Sequence, residues 1–244
     1  MIKDIMNGFS AYLTALQLTT KHRLWGYFFA PALICILLGA VIFYTAWNLS
    51  ANVGGFLERI YPFEWGSGIV ESVGQVFGGV LIAALGLILF KNLVIVLASP
   101  FMSFLSEKVE RILYGGSSPK FSFTQFGSDI VRGLRIAIRL VVRELFFTLL
   151  LMLLGLFLPF LAPAIPILIL LVQSYYAGAG NIDFTLERYY KVRNSVQFVR
   201  QHKGLAIGNG APYLLLYFTV IGFLFALPLS TIAGTVETMK KLDG

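Results

Sequence analysis

The feature that most constrains this chain is an uncharged stretch of 34 residues, Leu145–Gly178. One helix needs about 20 apolar residues to cross a ~30 Å hydrocarbon core, and two full crossings need about 40 plus a turn. Three prolines lie near the middle of the stretch: Pro159, Pro163 and Pro166. Proline breaks helices because it lacks an amide donor and clashes with the preceding turn. We therefore predict a helical hairpin over 145–178, with arms Leu145–Leu158 and Ile165–Tyr176, that enters the membrane and returns to the same side.

The composition agrees with a lipid environment. Hydrophobic residues make up 57% of the chain and charged residues only 13%, whereas an ordinary soluble domain carries roughly 25% charged residues. The net charge of +7 is typical of membrane proteins, whose cytoplasmic loops collect Lys and Arg, so we expect no nucleic-acid partner.

Residues that could catalyse a reaction or bind a metal are scarce. Cys35 is the only cysteine and lies in an apolar run, and His22 and His202 are far apart in the sequence. No HExxH, CxxC or GxSxG pattern is present. We therefore expect neither an enzyme, nor a metal site, nor a cofactor.

Two long transmembrane helices are predicted before the hairpin. The first, over 25–47, has 23 residues without a charge and Trp25 and Trp47 at its ends, as suits the two interfaces. The second, over 69–97, contains Lys91, which we expect to extend toward the headgroups or to face a protein-lined cavity.

The distribution of basic residues orients these spans. The loop Asn48–Gly68 holds one basic and two acidic residues, whereas Ser99–Glu144 holds seven basic residues. The positive-inside rule therefore places the N-terminus and the segment 99–144 in the cytoplasm.

A second hairpin is predicted over 205–236. Its apolar run, Tyr213–Leu227, follows a Gly-Asn-Gly-Ala-Pro segment and is interrupted by Pro228. Basic residues flank it on both sides, so both ends are expected in the cytoplasm, with 179–204 as a cytoplasmic segment between the hairpins. Two short ordinary spans in a locally thinned bilayer are the alternative.

The remaining segments have amphipathic spacing. Apolar residues at helical intervals predict an interfacial helix over 2–20, and 99–144 is expected to form cytoplasmic or interfacial helices. Four arginines fall on one helical face within roughly 80°: Arg132, Arg135, Arg139 and Arg143. This basic stripe could bind anionic lipid headgroups, line the vestibule of an anion pathway, or pair with Glu107, Glu110 or Glu144.

A longer motif follows the second span. Ser99–Glu110 reads SPFMSFLSEKVE and resembles the APFNGLLAEKVE signature of the CysZ sulfate-permease family. Asn181–Arg188 is similar to a later segment of that family, and Gly208 precedes the last apolar stretch as the family's glycine does. The similarity covers nearly the whole chain. We expect the signature residues to hold helices together: Pro100, Phe101, Glu107, Lys108 and Glu110.

The resemblance implies an all-α integral membrane protein of the bacterial inner membrane. It implies two long transmembrane helices, two proline-broken re-entrant hairpins that only partly penetrate the bilayer, and interfacial amphipathic helices. It also implies a homo-oligomer in contact with membrane lipids that passes sulfate. No phosphate-binding loop for a nucleotide is present, so direct ATP coupling is not expected.

The loop before the first span is where the family binds sulfate, with a Gly-Leu/Ile-Arg-Arg sequence. The corresponding residues here are Arg23, Leu24, Trp25 and Gly26. Arginine replaces the family's glycine, and Trp and Gly replace its arginine pair, so the loop diverges from the family. A small oxyanion is the expected solute. A non-transporting scaffold, lipid-interacting or an accessory subunit of another complex, is the alternative function.

Overall fold

The computed structural model describes residues 2–60, 68–115, 123–161, 163–219 and 221–242. Side chains are described at all of these positions except 43, 45–60, 68–85, 87, 123–126, 129, 156 and 159. Segments 61–67 and 116–122, which belong to the two loops used to orient the spans, lie outside the described residues.

Within the described residues the chain is helical. A 3₁₀ turn, Pro159–Leu161, connects the fourth and fifth helices. The helices are α1 (Ile2–Lys21), α2 (Gly26–Ile60), α3 (Gly68–Tyr114), α4 (Phe123–Phe157), α5 (Ile165–Leu186), α6 (Val192–Gln201), α7 (Lys203–Tyr217) and α8 (Gly222–Leu242).

Several of these helices could cross a membrane by length and composition. Three pass this test in the described part of the chain: Ile88–Tyr114 of α3, Ile165–Leu186 and Gly222–Leu242. A fourth results if α1 and Gly26–Ile42 of α2, which meet at a 114° bend, form one broken span. The protein is therefore an all-helical, multi-pass membrane protein.

The prolines act differently in the two apolar stretches that were predicted to be broken. Pro159, Pro163 and Pro166 lie in or beside the turn between α4 and α5, as the sequence predicts. Pro228, in contrast, lies inside α8 and does not interrupt it. Helix α7 ends at Tyr217 and α8 begins at Gly222, whose amide donates a hydrogen bond to Thr219 Oγ1 at 3.0 Å.

Pro100 likewise does not end a helix, because α3 continues through it from the second predicted span into the signature segment. The lost amide leaves the carbonyl of Val96 without its helical partner. Ser99 Oγ donates to that carbonyl at 2.7 Å, which replaces the missing bond. The predicted boundary between the span at 69–97 and the segment at 99–144 is therefore not a helix end.

The centre of the molecule is a crossing of helices at small residues. A side chain at Gly178 of α5 would overlap the carbonyl oxygen of Ala206, and one at Gly8 of α1 would overlap the backbone of Gly208. Asn209 of α7 joins these elements. Its carbonyl accepts from Tyr12 Oη at 2.6 Å, and its side-chain amide donates to the carbonyl of Ser230 in α8 at 2.8 Å.

Helix α1 turns its small residues toward this centre and its large apolar residues away from it. Ala11 and Ala15 are buried. Large side chains remain exposed on the opposite face: Ile2, Met6, Phe9, Leu13 and Leu16. The exposed apolar face is the one that the sequence pattern assigns to the lipid interface.

Candidate functional site

The loop that carries the predicted anion site both ends α1 and starts α2. Arg23 has a φ of 53°, the left-handed conformation that closes many helices. The Leu24 amide donates to the carbonyl of Thr19 at 2.9 Å, the six-to-one hydrogen bond of a Schellman turn. Leu24 is 1% exposed and anchors the turn in the core, whereas the Arg23 side chain lies at the surface.

The first residue of α2 borders open space. A side chain built at Gly26 would meet nothing within 4 Å. The Trp25 ring packs against Phe28, with centroids 5.2 Å apart, and edge-on against Phe225 of α8 at 6.5 Å. The four predicted residues therefore form one loop, in which Leu24 and Trp25 fix the backbone and Arg23 and Gly26 border an open surface.

The four arginines of the basic stripe do not share one environment. Arg132 is half-buried and bonded within the protein, and Arg135 and Arg139 are exposed. Arg143 is half-buried at the edge of a crevice. A shared helical face on α4 therefore does not produce a continuous basic surface, because Arg132 and Arg143, at the two ends of the stripe, are partly covered by neighbouring helices.

Arg132 joins three helices. Its Nε and Nη2 donate to the two carboxylate oxygens of Asp183 at 3.2 and 3.1 Å, a bidentate pair. It also donates to the carbonyl of Tyr190 and to Ser195 Oγ, both at 2.9 Å, and lies 3.8 Å from Glu187. Pairing with Glu107, Glu110 or Glu144 was one of the three alternatives for the basic stripe. The acids that contact Arg132 are different ones, in α5 and the turn after it.

The signature segment on α3 binds the second segment that carries the family resemblance, Asn181–Arg188. Arg188 donates through Nε and Nη2 to Glu110 Oε2 at 2.9 and 2.6 Å and to Ser106 Oγ at 2.9 Å. The Ser106 hydroxyl also lies 3.0 Å from Thr185 of α5 and 2.9 Å from Thr235 of α8. Glu110 therefore holds α3 to the end of α5.

The other signature residues lie along the same length of α3. Pro100 is buried, Phe101 is 37% exposed, and Glu107 and Lys108 are half-buried. None of these four residues lines the crevice between α4, α5, α6 and α7.

Lys91 neither reaches the headgroups nor faces a cavity. Its Nζ bonds to Glu144 Oε1 of α4, and both side chains are 0% exposed. Asn92 Nδ2 lies 3.5 Å from Glu144 Oε2 and donates to the carbonyl of Ile88 at 2.7 Å. The buried pair therefore fixes α3 against α4 at the base of the first hairpin.

A crevice of about 910 Å³ lies between α4, α5, α6 and α7. Arg143, Arg200 and Lys203 line it, together with Asp183 and mostly apolar side chains. Arg132 neutralises Asp183, so the crevice carries an excess of positive charge. The arrangement can hold an anion, because three cations line a mostly apolar space.

Sequence reasoning did not assign Asp183, Arg188, Arg200 or Lys203 to any site. The signal for the first two was present, since an acid and a base five residues apart at the end of an apolar helix need partners. In the sequence, Arg200 and Lys203 are only basic residues before an apolar run. The strongly amphipathic spacing of α6, with Ser195, Phe198 and Val199 buried, is the pattern that could have predicted its packing on the hairpin.

Comparison with known protein families gives a match over most of the chain. The family model described as Sulfate transporter CysZ/Etoposide-induced protein 2.4 matches residues 11–230. The matched range includes the α1–α2 loop, the signature segment of α3 and the paired helices α4 and α5.

Proposed function

This chain belongs to the sulfate transporter CysZ/etoposide-induced protein 2.4 family, and on that premise we propose that it forms a membrane channel or permease for sulfate or another small oxyanion. Flow down the solute's gradient, without direct use of ATP, is part of the proposal, because the sequence holds no nucleotide phosphate-binding loop.

The observation that carries the proposal is the geometry of the α1–α2 loop. The amides of Trp25 and Gly26 make no backbone hydrogen bond within the part of the chain that is described, and they lie at the start of a long helix. Free amides and the helix dipole favour an anion at this end. Arg23 adds a full positive charge to the same loop, and the surface beside the Cα of Gly26 is open.

The remaining features of the proposal concern assembly and topology. We place the N-terminus in the cytoplasm and the protein in the bacterial inner membrane, because the basic residues concentrate in 99–144. Helices α4 and α5 are assigned as a hairpin that enters the bilayer from the cytoplasm and stops within it. A homo-oligomer would bring several α1–α2 loops around one pathway.

The test is flux of radiolabelled sulfate into liposomes that contain the purified protein. Uptake above that of empty vesicles, competed by unlabelled sulfate or selenate but not by an equal concentration of chloride, is expected. Uptake equal to that of empty vesicles, with the protein monodisperse and helical by circular dichroism, would contradict transport.

Variants of the loop connect the flux to this site. Arg23→Gln is expected to lower uptake roughly threefold to tenfold, since an exposed charge-assisted contact contributes on the order of 1 kcal/mol. Gly26→Arg is expected to raise uptake, because it adds a cation at a position with open space. Arg193→Gln, an exposed charge on α6, serves as the matched control and should leave uptake unchanged.

A second candidate function is a lipid-interacting scaffold or accessory subunit that transports nothing. The crevice beside α4 favours it, because its cations and apolar wall suit lipid better than a fully hydrated ion. Normal folding with no flux of sulfate, selenate or phosphate would favour this second function over the first.

A further inference from the structure

Charged and apolar side chains line different parts of the crevice between α4, α5, α6 and α7. Arg143 of α4 and Arg200 and Lys203 near the junction of α6 and α7 provide the charge. One turn further along α4, toward the hairpin tip, lies Phe147, and Leu171, in the part of α5 near the tip, lines the crevice as well. Both side chains are partly exposed, at 42% and 46%, so the apolar end of the crevice opens on the outer face of the hairpin.

We propose that this crevice binds an anionic phospholipid, whose phosphate is held by Arg143, Arg200 and Lys203 and one of whose acyl chains lies along the apolar wall toward Phe147 and Leu171. This inference concerns a site distinct from the α1–α2 loop, and it holds whether or not the protein transports sulfate.

The charge of the crevice selects an anion. In the part of the chain that the structure describes, none of the three cations has an ion-pair partner. The one carboxylate on the wall, Asp183, is already held by the bidentate bond from Arg132. No acidic group of the described wall is therefore free to bind the choline or ethanolamine of a zwitterionic lipid, whereas guanidinium groups match phosphate oxygens well.

The size and lining of the crevice select a lipid over a free inorganic anion. At about 910 Å³ it lies near the upper end of the ~300–1,000 Å³ range of small-molecule pockets, far larger than phosphate or sulfate requires. Val172, Val196 and Ile207 belong to its apolar lining. A hydrated ion would leave this apolar wall in water, whereas an acyl chain covers it.

The position of the cations agrees with a headgroup site. Arg200 and Lys203 are exposed and Arg143 is half-buried, and Tyr175 lies within electrostatic range of both arginines. A tyrosine beside basic side chains is typical of the interface between headgroups and hydrocarbon. Basic pockets between membrane helices are suited to anionic headgroups.

The test measures lipid binding to the purified full-length protein by native mass spectrometry. Phosphatidylglycerol and phosphatidylcholine with identical acyl chains are added at equal concentration. Preferential retention of phosphatidylglycerol is expected. The variant Arg143→Gln/Arg200→Gln/Lys203→Gln should bind it at least about tenfold more weakly, since each cation near an anionic headgroup contributes on the order of 1 kcal/mol.

The matched control removes the same charge from outside the crevice. Arg135→Gln/Arg139→Gln/Arg193→Gln alters three exposed cations and should change binding less than about twofold. Val196→Trp keeps every charge but adds a large ring to the lining of the crevice, and it should also weaken binding. The single variants Arg200→Gln and Lys203→Gln alter exposed side chains, so a partial loss in each is expected even if the triple variant does not fold.

Three results would overturn the proposal. Equal losses in the two triple variants would show only a dependence on net charge. Equal retention of phosphatidylcholine would remove the selectivity for an anion. Displacement of the lipid by millimolar inorganic phosphate or sulfate would assign the crevice to a free oxyanion instead.

Discussion

At the scale of the residue, Arg23 occupies a backbone conformation that favours glycine. Its φ of 53° costs an L-amino acid with a side chain roughly 1 kcal/mol relative to glycine. We therefore predict that Arg23→Gly raises the free energy of unfolding by about 1 kcal/mol, measured by thermal unfolding in detergent. Lys21→Gly, within the last helical turn of α1, should instead lower it by a similar amount.

The same substitution separates stability from function. If Arg23 contributes charge to an anion site, Arg23→Gly should give a more stable protein with reduced sulfate uptake. A less stable Arg23→Gly protein would contradict the assignment of a Schellman turn at this loop.

Ser99 and Pro100 form a second residue-scale unit. We predict that Ser99→Ala lowers the free energy of unfolding by about 1–2 kcal/mol, because the partly buried carbonyl of Val96 then loses its hydrogen bond. Ser99→Ala/Pro100→Ala should recover most of this loss, since the alanine that replaces the proline has an amide that can donate to the same carbonyl. Unfolding of the four proteins in a double-mutant cycle measures the coupling, and additive effects would refute the compensation.

At the scale of the element, Lys91 and Glu144 determine how α3 packs on α4. Breaking a buried pair leaves one charge without compensation and costs about 3–5 kcal/mol. We predict that Lys91→Met destabilises the protein by about this amount, and that Lys91→Met/Glu144→Gln restores most of the stability. Thermal unfolding in detergent is the measurement, and Arg135→Met, which alters an exposed residue of α4, should change stability by less than about 0.5 kcal/mol.

The stability of the double variant distinguishes the loss of charge compensation from altered packing. If Lys91→Met/Glu144→Gln is as unstable as Lys91→Met alone, the loss arises from altered packing rather than from the uncompensated carboxylate.

The helices differ in how far their ends could be predicted from the sequence. The turn at Pro159 and Pro163 was predictable because several prolines and the length of the apolar run indicate the same place. The continuation of α8 through Pro228 was not predictable, because a single proline removes only one backbone hydrogen bond. Packing can offset that loss, because 78% of the most apolar part of α8 is buried inside the protein.

At the scale of the whole molecule, the sequence predicted where the candidate site lies but not what surrounds it. The loop Arg23–Gly26 was found from its position before an apolar helix and from the family resemblance. The bond between Arg132 and Asp183 links residues 51 positions apart, and helical spacing on α4 alone cannot identify such a partner. The same is true of Arg143, Arg200 and Lys203, which meet only because α6 packs against the hairpin.

The depth of the α4–α5 hairpin is the topological question with the most direct consequence for the pathway. Helix α5 has 22 residues, about 33 Å at 1.5 Å per residue, which is enough to cross the ~30 Å core. From Arg143 to the end of α4 at Phe157, however, the helix rises only about 21 Å. If Arg143 lies at the headgroups, as the proposed lipid site requires, the turn between α4 and α5 lies inside the hydrocarbon.

We therefore predict that a cysteine at the turn is inaccessible from both sides of the membrane. Phe160 is 77% exposed in the isolated protein, and Phe160→Cys would be introduced together with Cys35→Ser, which removes the only native cysteine. A membrane-impermeant maleimide should not label it in right-side-out or inside-out vesicles, but should label it after denaturation in SDS. Arg193→Cys on α6 should be labelled in inside-out vesicles only, because α6 is assigned to the cytoplasm. Labelling of Phe160→Cys in right-side-out vesicles would mean that the hairpin crosses completely, and Arg143 would then lie too deep for a headgroup site.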